Sequence, residues 1–467
     1  MEYIENHTFD EVEVGDTAQL VRTLKAEDIQ LFAVMSGDIN PAHLDSEYAR
    51  NSLFHEVIAH GMWGGALIST VLGTQYPGPG TIYINQSLHF SHPLRVGDTV
   101  TVMVTVAEKN VHNQHLLLEC KCTNQNGAAV ISGTAEVLAP SVKVKLPRMS
   151  LPDVQLIDRD THYRQIMARV QGLKPMKMAV VHPCDRESLL GAIESAEVGL
   201  LVPVLIAPTD KLNKLAESLG VDISQYERID VPHSHAAAAK AVELARDGAV
   251  EALMKGSLHT DELMAAVISP TSGLRTGRRV SHVFVMDVPR YPKPLFITDA
   301  AINIVPNLLE KRDIIQNAID LAHVLGIAVP KVAILSAIET INEKLRSTLD
   351  AAALCKMADR GQITGGLLDG PLAFDNAVSL AAAQIKGIHS EVAGFADIIV
   401  MPDLESGNLL AKELQYLADA QAAGIVLGAK VPIVLTSRAD NAHTRTASCA
   451  LALLLTRYPS DEKAVDA

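Results

Sequence analysis

The stretch GMWGGALISTVLG, residues 61–73, decides the fold of the first part of the chain. It has the length of a helix and carries no charge, and a helix that is apolar all round must be buried. Residues 99–108, TVTVMVTVAE, then alternate apolar and polar side chains, and HLLLECKCT and AAVISGTAEVL follow as further strand-like segments. One buried helix followed by consecutive strands predicts an α+β domain in which an antiparallel sheet wraps the helix.

The pattern of apolar and polar residues changes near residue 145. Apolar runs such as KMAVVH, LVPVLIA and KVAILS then recur, and helical patterns separate them at 234–247, 306–325, 342–360 and 404–423. This alternation predicts an α/β fold with parallel-rich sheets covered on both faces. Because the join around residues 138–152 is rich in proline, we expect a domain at 1–145, a linker at 146–158 and a second domain at 159–467.

Composition excludes several functional classes. The chain has 54 acidic residues against 40 Lys and Arg, a net charge of −14, which disfavours nucleic-acid binding because phosphate backbones require a basic surface. We expect no membrane span, since no apolar run approaches the ~20 residues required. The acidic N-terminus lacks signal-peptide character, and the five cysteines fit reduced thiols, so a cytoplasmic protein is predicted. No metal-ligand cluster is recognisable, and no metal is predicted.

Residues 32–45, FAVMSGDINPAHLD, place a carboxylate and an imidazole on one loop. Gly37 and the Asn40-Pro41 step interrupt the helix pattern, since a residue before proline avoids the α region. Asp38 and His43, brought together across this bend, could hold and deprotonate a water. The alternative is a loop whose aspartate caps a helix and whose histidine is merely exposed.

The start of the apolar helix, Ala59-His60-Gly61-Met62, is the second candidate element. Backbone N–H groups at a helix start are unpaired and can stabilise an oxyanion on a thioester carbonyl. The glycines also allow close packing of the helix against a sheet, and this interpretation is compatible with the first.

The string S-G-D-x-N-P-x-H-x-D at 36–45, followed by A-H-G-M at 59–62, closely resembles the MaoC-like dehydratase and R-specific enoyl-CoA hydratase family, over roughly residues 5–140. The resemblance implies a hotdog fold. It also implies that Asp38 and His43 form the catalytic dyad and that Gly61 supplies an oxyanion N–H. Ser69 and Asn40 would contact the substrate. For Ser69 the alternative is a buried serine that bonds back to its own helix.

In the second half, small, polar and basic residues follow the apolar runs. Open parallel sheets bind ligands outside the carboxyl ends of their strands, and we therefore expect a ligand site there. The candidates are Lys255, Ser257, Arg275, Asp299, Asn303, Asn408, Ser437 and Arg438. Arg and Lys would offset the acidic background for an anionic substrate, whereas the alternative is that strand ends are polar because loops begin there.

Motifs at 255–264 (KGSLHTDELM), 273–283 (GLRTGRRVSHV) and 436–440 (TSRAD) look like those of the phosphate acetyl/butyryltransferases, over roughly residues 160–460. The resemblance implies two α/β subdomains with an active site between them and acyl transfer between coenzyme A and phosphate. Ser437 and Arg438 would contact the phosphate, Asp299, Asn303 and Asn408 would line the cleft, and Asp440 is the acid left to deprotonate the CoA thiol. The acetyl-specific branch has several acids after its Ser-Arg pair, whereas this chain has one. That branch also has an arginine where this chain has Leu263-Met264. Both differences favour the butyryl branch.

Together the two halves predict a bifunctional enzyme that hydrates a 2-enoyl-CoA and transfers acyl groups between CoA and phosphate. CoA thioesters and phosphate would be substrates, no permanently bound cofactor is expected, and both families imply a homo-oligomer. The main alternative is a hydratase whose second half is a non-catalytic acyl-CoA sensor. A dehydrogenase of related architecture is disfavoured because no dinucleotide fingerprint is present.

Overall fold

A computed structural model describes residues 3–152, 154, 156, 161–435 and 442–458. The chain divides into two compact units, Met1–Ile157 and Asp158–Ala467. No helix in these described ranges combines the length and the apolarity that crossing a membrane requires.

The first unit mixes short helices with a consecutive run of strands. Its strands are β1 (Tyr3–Glu5), β2 (Thr17–Thr23), β3 (Ile82–Phe90), β4 (Thr99–Asn110), β5 (His115–Thr123), β6 (Ala129–Leu138) and β7 (Lys145–Pro147). Its α-helices are α1 (Ala26–Ser36), α2 (Pro41–Leu44), α3 (Ser46–Asn51) and α4 (Gly61–Thr74). Over the described residues, β2-β4-β5-β6-β3 form a five-stranded antiparallel sheet, while β1 pairs with β7.

Helix α4 lies against this sheet, as the hotdog fold predicts. Its Trp63, Leu67, Ile68 and Val71 are buried with the inward side chains of β4 to β6. Strand β4 shows why the sheet forms, because its valines at alternate positions from 100 to 106 are all buried while the residues between them are more accessible. The α+β hotdog prediction is confirmed for the first unit.

The second unit alternates strands and helices throughout. Its strands are β8 (Met176–Val181), β9 (Leu201–Ala207), β10 (Glu227–Asp230), β11 (Ala252–Lys255), β12 (Ser281–Asp287), β13 (Leu295–Thr298), β14 (Lys331–Leu335), β15 (Leu367–Leu372), β16 (Ile398–Val400), β17 (Gln421–Leu427) and β18 (Ile433–Val434). Its helices are α5 (Thr161–Val170), α6 (Arg186–Glu197), α7 (Thr209–Leu219), α8 (Ser234–Arg246), α9 (Thr260–Val267), α10 (Leu308–Val324), α11 (Arg346–Asp359), α12 (Phe374–Val378), α13 (Leu380–Ile385), α14 (Leu404–Leu417) and α15 (Ala442–Arg457).

The described strands of this unit form one sheet in the order β10-β9-β8-β11-β18-β17-β12-β13-β16-β14-β15. It is parallel from β10 to β18 and again from β13 to β15, which confirms a parallel-rich α/β fold. The helix predicted over 404–423 is too long, since α14 ends at Leu417 and strand β17 begins at Gln421.

Between the two parallel blocks lie three antiparallel pairings, β18–β17, β17–β12 and β12–β13. Three reversals leave the blocks running in opposite directions. The pairing register nevertheless puts Met254 of β11 and Thr298 of β13 in one row across the sheet, through Val434, Ile425 and Val283. Lys255 ends β11 and Asp299 follows β13, so each stands one residue beyond this shared row.

All five cysteines are free thiols, as predicted. Burial raises the pKa of Cys120 and Cys449 to about 11 and the pKa of Cys122 and Cys355 to about 12. The pKa of Cys184 is raised by burial as well. These thiols are therefore protonated at neutral pH.

Candidate functional site

The loop that carries the predicted dyad is held by its own side chains. Helix α1 ends with Gly37 in the left-handed conformation, at φ 75°, which suits a glycine. The Asp38 carboxylate accepts a hydrogen bond from the backbone N–H of Asn40 at 3.2 Å, and the Asn40 side chain caps α2 by accepting from Ala42 N–H at 3.1 Å. These contacts fix the bend that brings Asp38 towards His43.

His43 lies in the last turn of α2, and its Nδ1 is 2.8 Å from the carbonyl oxygen of Ile58. Because a carbonyl can only accept, Nδ1 must carry the proton that it donates. Nε2 of the neutral ring is then the lone-pair nitrogen, so His43 is oriented as a proton acceptor.

His60, at the N-cap of α4, contacts both members of this pair. Its Nε2 donates to the backbone carbonyl of Asp38 at 3.1 Å, and its ring lies against that of His43 with centroids 4.0 Å apart. The residue is only 3% exposed, and its Nδ1 is buried without a hydrogen-bond partner. No role was predicted for His60 from the sequence, although it stands inside the A-H-G-M motif.

Asp38, His43 and His60 each offer one ligand atom, and these atoms lie within 4.8 Å of one another. The sequence pattern predicts no metal site, whereas the fold assembles a set of side chains that could hold an ion. Asp38 and His60 are 22 positions apart, so only the fold brings them together.

A cavity of about 280 Å³ opens beside the dyad. Its lining includes His43, His60 and Gly61 together with the apolar side chains of Phe90 and Ile131. Gly61 is the first residue of α4, where backbone N–H groups point away from the helix and carry partial positive charge. A side chain at this position would meet the Phe90 ring at 3.1 Å, so glycine keeps the approach open.

The two predicted substrate contacts lie elsewhere. Ser69 stands eight residues after Gly61, about 12 Å along the helix, and its side chain is exposed. It does not line the cavity, and the alternative of a buried serine does not hold either. Asn40 is exposed and occupied as the cap of α2.

The second unit has a larger cavity, of about 870 Å³, which lies within the range of cofactor-sized ligand sites. Arg275, Arg278 and Arg279 line it beside apolar side chains that include Met264 and Ile302. Arg278 pairs with Asp320, and Arg279 lies 3.1 Å from Glu310. Arg275 has no ion-pair partner in the described part of the chain, so its charge is available to an anion.

Asp299 and Asn303 form a buried network behind this cavity. The Asp299 carboxylate accepts from Asn303 Nδ2 at 2.6 Å and from the N–H groups of Ala301 and Ile302 at 2.9 and 3.0 Å. Burial raises the pKa of Asp299 in spite of these hydrogen bonds. Asn303 in turn accepts from Arg279 Nε at 2.6 Å, so the network positions an arginine of the cavity wall.

Asn408 joins the same region, because its side chain donates to the carbonyl oxygen of Ala300 at 3.2 Å. Of the predicted CoA and phosphate residues, Arg275 alone lines the cavity among those that the structure describes. Asp299, Asn303 and Asn408 support the segment that forms its wall.

Lys255 is the last residue of β11, and Ser257 follows it. Neither lines the cavity, although Thr260 and Asp261, which come shortly after Ser257, do. Lys255 is buried, and the backbone of Ser257 bonds to His182, which follows β8. Ser437, Arg438 and Asp440 fall outside the described residues.

The group around Ser257 was not predicted from the sequence. Nδ1 of His182 lies 2.8 Å from the Ser257 carbonyl oxygen, and Asp185 caps α6 through Ser188 N–H at 2.8 Å. Burial alone would raise the pKa of Asp185, but hydrogen bonds from Ser188 and Ser257 outweigh it, and the pKa is lowered with help from the charge of Arg445. The signal was available, since HPCD at 182–185 directly follows the apolar run KMAVV.

Two family models match the chain, one in each unit. A model described as "Phosphate acetyl/butaryl transferase" matches residues 209–453, and one described as "MaoC like domain" matches residues 12–124. The first model alone covers more than half of the chain.

Individual relatives match the second unit over nearly their whole length. A phosphate acetyltransferase of Rhizobium meliloti is 62% identical over 62% of this chain and 92% of its own, and a phosphate butyryltransferase of Clostridium acetobutylicum is 43% identical over 63% and 97%. The crystal structure of a branched-chain phosphotransacylase from Enterococcus faecalis V583 is 27% identical, covers 61% of this chain and 100% of that chain, and has a TM-score of 0.54.

Proposed function

The chain belongs to the phosphate acetyl/butyryltransferase family and carries a MaoC-like domain ahead of that region, and on this premise we propose a bifunctional acyl-CoA enzyme. The first unit would hydrate a 2-enoyl-CoA reversibly to a 3-hydroxyacyl-CoA. The second would transfer an acyl group between CoA and inorganic phosphate.

One arrangement supports the hydratase most directly: His43 and the α4 N-terminus line one cavity, and an Asp38 carboxylate oxygen lies within 4.8 Å of a His43 ring nitrogen. A water held between the Asp38 carboxylate and His43 Nε2 would lose a proton to this pair as its oxygen attacks C3 of the enoyl group. Negative charge would develop on the thioester oxygen, where the Gly61 N–H can stabilise it. Protonation of C2 would then complete the addition of water.

Loss of enoyl absorbance on incubation with crotonyl-CoA would measure this activity. Asp38→Asn and His43→Gln should each lower the rate by ~10²–10⁴, the usual contribution of a positioned acid or base. Phosphate-dependent release of CoA thiol, assayed on the same samples, provides the internal control for folding. Hydration at the wild-type rate by either variant would remove that residue from the mechanism.

For the transferase, the 62% identity to an acetyltransferase carries the proposal. The 870 Å³ cavity supports it, since its Arg275 forms no ion pair with any residue that the structure describes. In the direction of acyl-CoA synthesis, the CoA thiolate would attack the acyl carbon of an acyl phosphate, a C–S bond would form and phosphate would leave. Arg438 and Ser437 would stabilise charge on the departing phosphate, and Asp440 would take the thiol proton.

Acetyl is the acyl group that we propose for this reaction. The sequence differences near Asp440 and Leu263 had favoured the butyryl branch. The identity of 62% to the acetyltransferase against 43% to the butyryltransferase outweighs two local differences.

Thiol release from acetyl-CoA and from butyryl-CoA, each with phosphate, would test both the reaction and its specificity. Arg275→Gln should raise the KM for CoA substrates, while Arg360→Gln, which removes the same charge from an exposed helix end outside the cavity, should not. Tight acyl-CoA binding without thiol release would instead support the non-catalytic sensor.

We also propose that the chain forms a homo-oligomer through its first unit. Strand β3 is an edge of the five-stranded sheet and leaves Ile82, Ile84 and Phe90 about half exposed. Met62 of α4 is 56% exposed as well. An unpaired apolar edge strand is a template for pairing with another chain, and a second copy would cover it.

A further inference from the structure

We propose that Asp38, His43 and His60 form a binding site for a divalent transition-metal ion of the Zn²⁺ class, and that this ion inhibits the first unit. The inhibition, although not the binding, rests on the hydratase function proposed above. All three residues belong to the first unit. Asp38 lies on the loop after α1, His43 lies in α2, and His60 is the N-cap of α4.

The donor set selects the class of ion. Two imidazoles and one carboxylate suit Zn²⁺, Co²⁺ and Ni²⁺, whereas Mg²⁺ and Ca²⁺ prefer oxygen ligands. Three protein ligands with a fourth position open to water are typical of zinc sites that are accessible to small molecules. Here that fourth position would face the 280 Å³ cavity, which His43 and His60 both line.

The distances require little movement. Ligand atoms about 2.0–2.1 Å from a tetrahedral ion lie roughly 3.4 Å from one another. The three atoms here are already within 4.8 Å, so closing the site takes about 1.5 Å or less. Asp38 is exposed and lies on a loop, and rotation of its side chain can supply that shift.

Two features of the histidines favour coordination. His43 is oriented by its Nδ1 hydrogen bond to the Ile58 carbonyl, and ligand histidines in metal sites are commonly held in this way through their other nitrogen. His60 is almost fully buried, and its Nδ1 has no hydrogen-bond partner. A buried polar atom without a partner is uncommon, and a bound ion can give the His60 ring the interaction that it lacks.

Inhibition follows from the lone pairs that the ion would occupy. An ion held by Asp38 and by His43 Nε2 takes up the two groups that would accept a proton from the attacking water. The ion would also fill part of the space beside Gly61, where the thioester must lie. Zn²⁺ and enoyl-CoA should therefore compete.

The test uses untagged full-length protein that has been treated with EDTA and desalted. Calorimetric titration with ZnCl₂, without substrate, should show a site that His43→Gln and His60→Gln each weaken at least about tenfold. His92→Gln is the matched control, because His92 lines the same cavity but lies outside the three-residue group and bonds to the Ala129 carbonyl. Circular dichroism verifies that each variant is folded.

Zn²⁺ should also inhibit hydration of crotonyl-CoA competitively, and EDTA should reverse this inhibition. Phosphate-dependent thiol release by the same chain should stay unchanged. Equal Zn²⁺ affinity and stoichiometry in wild type, His43→Gln and His60→Gln would overturn the site, and so would equal binding of Mg²⁺. Metal-free protein that binds Zn²⁺ through these residues yet does not hydrate crotonyl-CoA would refute the hydratase function and the inhibition, while supporting the metal site.

Discussion

The ring of His60 lies against the ring of His43, with centroids 4.0 Å apart and planes inclined by 34°. The same His60 donates to the backbone carbonyl of Asp38, so one buried residue contacts both members of an otherwise accessible pair. Because Asp38 stands on an exposed loop, this contact restrains its position relative to His43. We infer that His60 is a positioning residue for hydration.

Replacing His60 by phenylalanine should lower kcat for crotonyl-CoA hydration about fivefold and change KM less. The phenyl ring can still stack on His43, but the hydrogen bond to the Asp38 carbonyl is lost, at a cost of about 1 kcal/mol. His60→Gln keeps a donor and should recover part of the rate. Equal kcat in wild type, His60→Phe and His60→Gln would contradict the positioning role.

Gly133→Ala should destabilise the first unit by about 1–3 kcal/mol. A Cβ on Gly133 of β6 would lie 2.0 Å from the backbone carbonyl oxygen of Ser87, so β3 would be pushed from the sheet. Gly73→Ala is the matched control: a Cβ there meets nothing within 4 Å, and alanine in a helix should be neutral or stabilising. Urea unfolding of both variants measures the difference, and similar midpoints would show that β3 tolerates the methyl group.

His282 on β12 should make the second unit sensitive to acid. Burial lowers its pKa to about 4 from the ordinary value of 6.5, so the native state holds the ring neutral while the unfolded chain takes up a proton. Stability is therefore lost as the pH falls from about 6.5 towards 4, and the loss between about pH 7.5 and pH 5 amounts to about 2 kcal/mol.

Urea unfolding of wild type and His282→Gln at these two pH values isolates this contribution. The free energy of unfolding of the wild type should fall by about 2 kcal/mol more than that of the variant on going to about pH 5. If the free energies of unfolding of the two proteins differ by the same amount at both pH values, His282 does not resist protonation in the native state.

Ile84→Lys should convert the proposed oligomer to a smaller species. A charge on edge strand β3 opposes pairing of that edge with a second copy. Val111→Lys serves as the control, because Val111 is 75% exposed in the turn between β4 and β5. Light scattering coupled to size exclusion gives the mass of each variant, and an unchanged mass for Ile84→Lys would place the interface elsewhere.

Arg438→Ala should lower phosphate-dependent thiol release by ~10²–10³, since a fixed cation is lost from the charge that develops on phosphate. Arg438→Lys should restore the rate only in part, because an ammonium cannot hold two phosphate oxygens through a planar fork. Asp440→Asn should reduce the rate most at low pH, where thiolate is scarce. Full activity of Arg438→Ala would rule out its proposed role.

The dyad could be predicted from sequence because its determinants are local. Gly37, Asn40 and Pro41 fix the bend between Asp38 and His43 within a few residues. His60 was missed because its contacts cross 17 and 22 positions of the chain and depend on how α4 enters the sheet.

The strand that follows α14 could not be predicted in the same way. The sequence of β17, QAAGIVL, continues the alanine- and leucine-rich pattern of α14 and looks helical by propensity. Pairing with β12 and β18 overrides that propensity.

The buried thiols have a consequence for self-modification. An α,β-unsaturated thioester is a Michael acceptor and an acyl phosphate is an acylating agent, and both attack thiolates in preference to thiols. With a pKa of about 11, Cys120 and Cys449 present a thiolate in only about one molecule in 10⁴ at neutral pH, and Cys122 and Cys355 in fewer. These four buried thiols therefore resist alkylation and acylation by the electrophilic substrates that we propose for the two units.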